Sequence, residues 1–492
     1  MVVRRSTRPA AVRRLVVALL FLTLGGVGFA AFGLGQPAAV PKPVPRAKCG
    51  PGSLPETSIQ GRVPKRDYTS GRAAKGYRCN TRLVAHQGTS GGFKTLRYTD
   101  RRGRTCAYYD STLLVGRDVV NNLVTGDPLG VVVLDMTNPR KPQHTDTLLS
   151  PTMLSPHESL LVSQKRGLLM AEMGTAATLP GIFEIYDVKK DCRHPKKLAT
   201  RLSSLFGHES GLSRDGKTYY ASGTLAGLAA IDISDPRRPR TIYQDLNIQY
   251  HGMRLSDDGK TMYAAHIGEV GAAGIAGAGL HILDVSDIQE RKPHPKIRIL
   301  SDLRWRNASI PQVAEPFTRN GRKYVLEVDE FVDLFSLQGL SDLKHSPVGA
   351  ARIIDVDDPR HPRVVSNIRL EVHQPDVHAG EQMKDPGGWF PAQGYAAHYC
   401  SLPTRKNPRL AACSMILSGL RVFDISDVRR PREVAYFNKP VVKQRKLTVF
   451  GNGAYAMSQP AWDVRRKTIW YTDTNSGFYV VKLTNGVQRL LR

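Results

Sequence analysis

The chain is short of acidic residues and lacks paired cysteines of the redox or zinc-binding kind. Asp and Glu total 43 against 70 Lys and Arg, for a formal charge of +27. Its six cysteines include no CxxC, so neither a thioredoxin-type centre nor a zinc ribbon is encoded. No HExxH, Walker loop or EF-hand loop occurs. The phrase GHESG (residues 207–211) sets its serine one place too late for a nucleophile elbow. Helical periodicity is nearly absent beyond the N-terminal segment, which leaves an all-β pattern. A basic recognition helix is also missing, so nucleic acid is not the expected partner despite the charge.

The first 35 residues read as an export signal or an N-terminal membrane anchor. Arg4, Arg5, Arg8, Arg13 and Arg14 precede an uncharged apolar run over residues 15–34. That run is close to the ~20 residues a bilayer span needs, while Gly28-Phe29-Ala30 offers a small-x-small cleavage site. Eight Lys/Arg and no acid lie in residues 1–48, leaving +19 of the formal +27 for the rest. Residues 36–80, rich in Pro, Gly and basic residues, read as an extended linker. Residues 81–492 carry a repeat and form the main domain. The expected location is outside the cytoplasm, either anchored by the N-terminal segment or secreted.

The repeated unit is an apolar strand ending in Asp, a short polar turn and a basic cluster. It reads GVVVLDMTNPRKP (residues 130–142), GIFEIYDVKKDCRHP (181–195), GLAAIDISDPRRP (227–239), GLHILDVSDIQERKP (279–293), ARIIDVDDPRHP (351–362) and GLRVFDISDVRRP (419–431). A reduced copy, GFYVVKLTN, spans residues 477–485. Around each copy stand further strand patterns and tight turns such as Asp215-Gly216 and Asp258-Gly259, so each unit has four antiparallel strands. Seven such units predict a seven-bladed β-propeller. The segment TRLVA (residues 81–85) resembles a fourth strand and is expected to complete the last blade and close the ring. The chain resembles the LVIVD-repeat β-propeller family, through the third-strand phrases VVVLD, AAIDIS, HILDVSD, RIIDVDDP and RVFDISD over residues 81–492. More loosely it is similar to the selenium-binding protein and methanethiol oxidase group of propellers, which implies a copper-dependent activity as in some of its members.

In an exported chain six cysteines imply disulfides. Cys400 and Cys413 flank a polar stretch between two apolar runs and are expected to bridge a hairpin. Cys79–Cys106 and Cys49–Cys192 complete the expected set.

Three constellations bear on function. The strand-ending Asp135, Asp187, Asp232, Asp284, Asp355 and Asp424 read as turn-shaping residues, since a catalytic carboxylate need not recur in every blade. His157, His208, His251 and His398 stand at or just before first strands, which line a propeller's channel. They are expected to ring one mouth, with His86 as a fifth candidate. The second-to-third loops on that face add His266, Glu172, Asp329 and Glu330, with the Gly-rich run 268–279 as a lid. Imidazoles converging on an axis suit one transition-metal ion, copper or zinc. The third-to-fourth turns carry Arg140-Lys141, Lys196-Lys197, Arg237-Arg238, Arg291-Lys292, Arg360 with Arg363, and Arg429-Arg430, and predict a basic rim on the opposite face.

Two functions follow as expectations. One is an interaction module at the cell envelope, a monomer binding a protein or an anionic envelope polymer. The other is a metal-dependent oxidoreductase using the metal candidates His157, His208, His251, His266 and His398.

Overall fold

The computed structural model describes residues 40–491 except 113–114, 175–179, 205–206, 224–226, 272–273, 306, 308, 332–347, 379, 389–392 and 445–450. The apolar run and its arginines, read as a signal or anchor, lie outside the described residues. No helix among the described residues is long and apolar enough to cross a membrane.

Seven antiparallel sheets of four strands form the propeller. Blade 1 comprises Thr95–Thr99, Thr105–Asp110, Val131–Asp135 and Gln143–Leu148. Blade 2 comprises Leu161–Ser163, Leu168–Glu172, Gly181–Asp187 and Lys196–Ser204. Blade 3 comprises Glu209–Leu212, Thr218–Ser222, Leu228–Asp232 and Arg240–Asp245. Blade 4 is built from Tyr250–Leu255, Thr261–His266, Gly279–Asp284 and Arg298–Arg304. Blade 5 is built from Ile310–Arg319, Arg322–Glu330, Ala351–Asp355 and Arg363–Ile368. Blade 6 has Tyr399–Ser401, Leu410–Ser414, Leu420–Asp424 and Arg432–Asn438. Blade 7 has Ala461–Asp463, Thr468–Asp473 and Gly477–Leu483, and Thr81–Gln87 is its outermost strand. That last pairing, with Thr81 opposite Leu483, joins the two ends of the repeat region and removes a free sheet edge.

The second and third strands are apolar because blades on both sides cover them. Thr218–Ser222 and Leu228–Asp232 are buried throughout, whereas the fourth strand, Arg240–Asp245, is largely open to solvent. Gly216 takes φ +73° in the first hairpin of blade 3, as its Asp-Gly turn requires. The repeated Asp shapes the turn after the third strand. One oxygen of Asp135, Asp187, Asp232, Asp284, Asp355 and Asp424 accepts the amide two residues on, at 2.7–3.2 Å. In blades 3, 4, 5 and 6 the same carboxylate also pairs with an arginine at the start of the fourth strand: Arg240, Arg298, Arg363 and Arg432.

Residues 40–80 do not extend away from the propeller as a linker would; they pack along it. Tyr77–Cys79 adds a fifth strand to blade 6, and Val63, Ala73, Tyr77 and Cys79 form a small core with Tyr436. Buried charge supplies the reason. Arg421 pairs with Glu433 at 2.9 Å and with Glu56 of this segment, so Glu56 helps neutralise a guanidinium that blade 6 buries.

Three disulfides are present, fitting an extracytoplasmic protein. Cys400–Cys413 joins directly opposed residues of the first two strands of blade 6, as expected. The other two expected pairings are wrong. Cys49 pairs with Cys79 and Cys106 with Cys192. Cys79 lies on the outer edge of blade 6 and Cys106 inside blade 1, so closeness in sequence misleads. Cys192, in the third-to-fourth turn of blade 2, comes back against blade 1 instead.

Because adjacent strands are antiparallel, second-to-third loops and blade-to-blade connections share one face. That face carries the long insertions: the helix Val115–Thr125, the connection from blade 5 to blade 6, and a hairpin of Glu269–Gly271 with Gly274–Ala276. The hairpin occupies the run expected to form a lid. The opposite face carries mostly short turns, the longest being the third-to-fourth connection of blade 4 with its helix Ser286–Gln289.

Candidate metal centre

Five successive blades each send one side chain to the same mouth of the channel. His157 comes just before the first strand of blade 2, and His208 just before that of blade 3. His251 lies in the first strand of blade 4, Glu330 ends the second strand of blade 5, and His398 precedes the first strand of blade 6. Glu158, next to His157, completes the group. All six are at least 92 % buried. The two remaining blades supply walls. Phe93, entering blade 1, packs its ring 4.2 Å from His157, and the Met457 carbonyl before blade 7 accepts a 2.6 Å hydrogen bond from His398 Nδ1.

The polar atoms meet at the centre. His208 Nε2 and His251 Nε2 are 3.2 Å apart. Glu158 Oε2 stands 3.3 Å from His208 Nε2 and 3.7 Å from His251 Nε2, while Glu330 Oε1 is 3.0 Å from His251 Nε2. The other carboxylate oxygens turn to His398. Its Nε2 is 3.2 Å from Glu158 Oε1 and 2.9 Å from Glu330 Oε2. Within this cluster two triads have ligand atoms within 4.8 Å of one another, His157–Glu158–His208 and Glu158–Glu330–His398.

A carbonyl can only accept, so His398 carries a proton on Nδ1. Its Nε2 then faces two carboxylates, an arrangement that requires a positive charge there, either a proton or a metal ion. Charge sets the titration accordingly. Burial works to lower the His398 imidazolium, but Glu158 and Glu330 outweigh it and raise its pKa to about 9. His251 is raised by the same carboxylates against its own burial. Burial works to raise the Glu158 carboxyl, yet His251, His208 and His398 hold it well below the usual range. His157, pushed down by burial and by the neighbouring His208, is a neutral imidazole. The backbone at His157 is strained, with φ +49°, and Phe331, following Glu330, has φ +54°. Only a few per cent of non-glycine residues hold this region, and for a bulky residue such as Phe331 it is an outlier.

Beneath this ring a charge-balanced layer closes the channel. Lys94 Nζ donates to both oxygens of Glu209 at 3.1 and 3.0 Å and to Tyr399 Oη at 2.9 Å. Arg254 pairs with Glu209 at 3.3 Å and with Glu315 at 2.6 Å. Lys94, Glu209 and Tyr399 are fully buried, so this layer separates the histidine cluster from the far end of the channel.

Of the five histidines expected as ligands, the structure brings together His157, His208, His251 and His398. His266 is placed apart. It pairs in register with Tyr250, so it points away from the side that His251 uses, and its ring stacks on His281 at 4.0 Å. His281 itself bonds Tyr250 Oη at 2.8 Å. His86 is also displaced, because it belongs to the outermost strand of blade 7, packed on Tyr479 at the periphery. Glu330 joins the site, whereas Asp329 pairs with Arg352 at 2.8 Å and Glu172 accepts a bond from Ser204 in blade 2. Sequence reasoning missed Phe93 and Gln312, whose Nε2 donates to Glu158 Oε1 at 2.7 Å. Neither carries a local signal, since each reaches the axis only through the position of its own strand in the ring.

The chain matches no protein-family model and no curated protein. Among solved structures it is similar to a chain of the "Crystal Structure of Mitotic Checkpoint Complex". The TM-score there is 0.48 and the identity 9 %, over 89 % of this chain and 100 % of that one. It is similar also to a chain of "Kuenenia stuttgartiensis Hydrazine Synthase", with a TM-score of 0.48 and 12 % identity over 82 % of this chain and 98 % of that one.

Proposed function

We propose that the protein is an extracytoplasmic metalloenzyme, an oxidoreductase whose transition-metal centre lies at the histidine-lined mouth of the channel. One observation carries the reading: imidazole nitrogens and carboxylate oxygens from five blades meet at 2.9–3.7 Å. Two nitrogen ligands on one ion, bound at ~2.0–2.1 Å, stand roughly 2.9–3.4 Å apart at angles of 90–110°. His208 Nε2 and His251 Nε2 fit that spacing. Glu158 Oε2 is buried and faces both His208 Nε2 and His251 Nε2, at 3.3 and 3.7 Å. The donors are imidazole and carboxylate with no thiolate, all six cysteines being in disulfides. Such a set suits zinc, copper(II), iron or manganese rather than copper(I). The choice of redox chemistry rests on the looser likeness to the methanethiol oxidase group. Elemental analysis of the purified protein is the test. A stoichiometric transition metal that a His208→Ala His251→Ala variant loses while staying folded supports the reading, and a metal-free folded protein that takes up none overturns it.

The opposite face favours a second role, adhesion to an anionic envelope polymer. Its turns expose cations with no carboxylate within 4.0 Å among the described residues, including Arg102, Lys141, Arg237, Arg238, Arg360 and Arg429. Others in the same turns are already neutralised: Lys197 by Glu184, Arg291 by Asp232 and Arg430 by Asp427. Binding to purified wall polymer that weakens steadily with added salt is expected. Binding unaffected by salt, or by reversing the charge at Arg237, Arg238 and Arg429, would overturn this role.

A further inference from the structure

The arrangement of the carboxylates goes beyond a single metal ion. Glu158 and Glu330 each split their two oxygens between opposite sides of the cluster. Glu158 Oε2 and Glu330 Oε1 turn to the His208 and His251 side, at 3.3 and 3.0 Å. Glu158 Oε1 and Glu330 Oε2 turn to His398, at 3.2 and 2.9 Å. Around one ion, a carboxylate supplies one oxygen or grips it with both; here the second oxygens of both glutamates converge on one further imidazole, His398, and so bound a second ligand position. Between two ions, one oxygen to each is the bridging mode, and paired ions so held stand ~3.5–4 Å apart.

We propose that the mouth holds a dinuclear transition-metal centre bridged by Glu158 and Glu330. The proposal rests on the metal-centre reading above and deepens it. The first position is bounded by His208, His251 and one oxygen of each glutamate, with His157 within ligand reach of Glu158 and His208. The second is bounded by His398 and the remaining two carboxylate oxygens. The positions differ in saturation. The first has up to three imidazoles, whereas the second has one and keeps coordination sites for an exogenous ligand. The shell around them has the features that hold such ligands in place. His398 Nδ1 donates to the Met457 carbonyl, which aims Nε2 at the carboxylates, and Gln312 donates to Glu158 Oε1. Two divalent ions against two carboxylates leave a net positive site, which suits an anionic or strongly electron-donating ligand at the second position. The charged layer of Lys94, Glu209 and Arg254 lies beneath the two positions.

The test is a titration of the purified full-length chain, stripped by chelator, with copper(II) alone. Bound metal is counted by elemental analysis and followed by electron paramagnetic resonance. Two equivalents per chain are expected. The spin signal should rise through the first equivalent and fall through the second, because two copper(II) ions at bridging distance couple. In Glu330→Gln, capacity should drop to one uncoupled ion, and Glu158→Gln provides a second variant if the first does not fold. Saturation at one equivalent, or two ions with no loss of signal, would overturn the dinuclear centre and leave the metal-centre reading standing. No copper bound by the folded protein overturns both. Loss of the second equivalent in Glu330→Gln, but not in His266→Ala, supports the bridged pair.

Discussion

His208 and His251 are separated by 43 residues of chain, yet their Nε2 atoms face each other at 3.2 Å in the protein interior. Two neutral imidazoles share such a contact only if one donates and the other accepts. Both nitrogens also face a carboxylate, His208 towards Glu158 and His251 towards Glu158 and Glu330. A shared cation satisfies every lone pair at once. Propeller geometry makes the meeting cheap in chain entropy: each side chain is carried to the axis by the start of a strand already fixed by its blade, so the site adds little ordering cost of its own.

Separate variants of His208 and His266 should therefore part company. His208→Ala is expected to lower metal content by at least half, while His266→Ala leaves it unchanged, because His266 stacks on His281 outside the ring. Metal per chain, measured on protein of verified secondary structure, checks this. Equal losses in both variants would mean that His266 does reach the centre.

Asp232 should behave as a structural residue. It accepts from the Ser234 amide at 3.0 Å and pairs with Arg240 and Arg291 at 3.2 and 2.9 Å. Replacing it by alanine removes the turn's acceptor and the partner of the half-buried Arg291, an effect of about 1–3 kcal/mol. Urea unfolding should show that loss with metal content intact. A variant of unchanged stability that had lost its metal would reverse the assignment for all six repeated aspartates.

The architecture was legible because it is periodic. Six third strands ending in Asp, a seventh reduced copy at residues 477–485, and Asp-Gly hairpins such as Asp215-Gly216 state the unit and its count without any tertiary information. The ring of histidines was legible for the same reason: a residue at the start of a first strand is at the axis wherever the blades close. His266 and His86 were misplaced by finer matters. Strand pairing decides that His266 shares a side with Tyr250 and not with His251. Ring closure decides that His86 lies in an outer strand. The bridging character of Glu158 was invisible, since it depends on how two oxygens of one carboxylate are aimed. Disulfide partners depend on which blades touch, which the spacing of Cys49, Cys79, Cys106 and Cys192 does not encode.

The longest- and shortest-range disulfides differ in what they enclose, and their removal should differ too. Cys106–Cys192 spans 86 residues and ties blade 2 to blade 1, whereas Cys400–Cys413 spans 13 within one blade. On the chain-entropy account these loops correspond to roughly 4.6 and 2.9 kcal/mol. Paired Cys→Ser variants compared in urea should show the larger drop in midpoint for Cys106–Cys192. The reverse order would mean that native packing, and not loop closure, governs their effect.

Glu172 gives the protein a pH dependence of definite sign. Its carboxyl ends a buried strand of blade 2 and accepts one hydrogen bond, from Ser204 Oγ, while its other oxygen has no partner among the described residues. Burial pushes its pKa up to about 8, from an ordinary value of 4.5. The folded state therefore holds a proton that the unfolded chain releases. The stabilisation from that neutral acid is complete below about 4.5 and is lost as pH rises towards about 8. Glu172→Gln keeps the shape and removes the titration. Its melting temperature should fall less than that of the native protein as pH is raised through this window. If the two melting profiles run parallel between pH 4.5 and pH 8, the carboxyl is ionised in the fold, and an unrecorded donor must face its second oxygen.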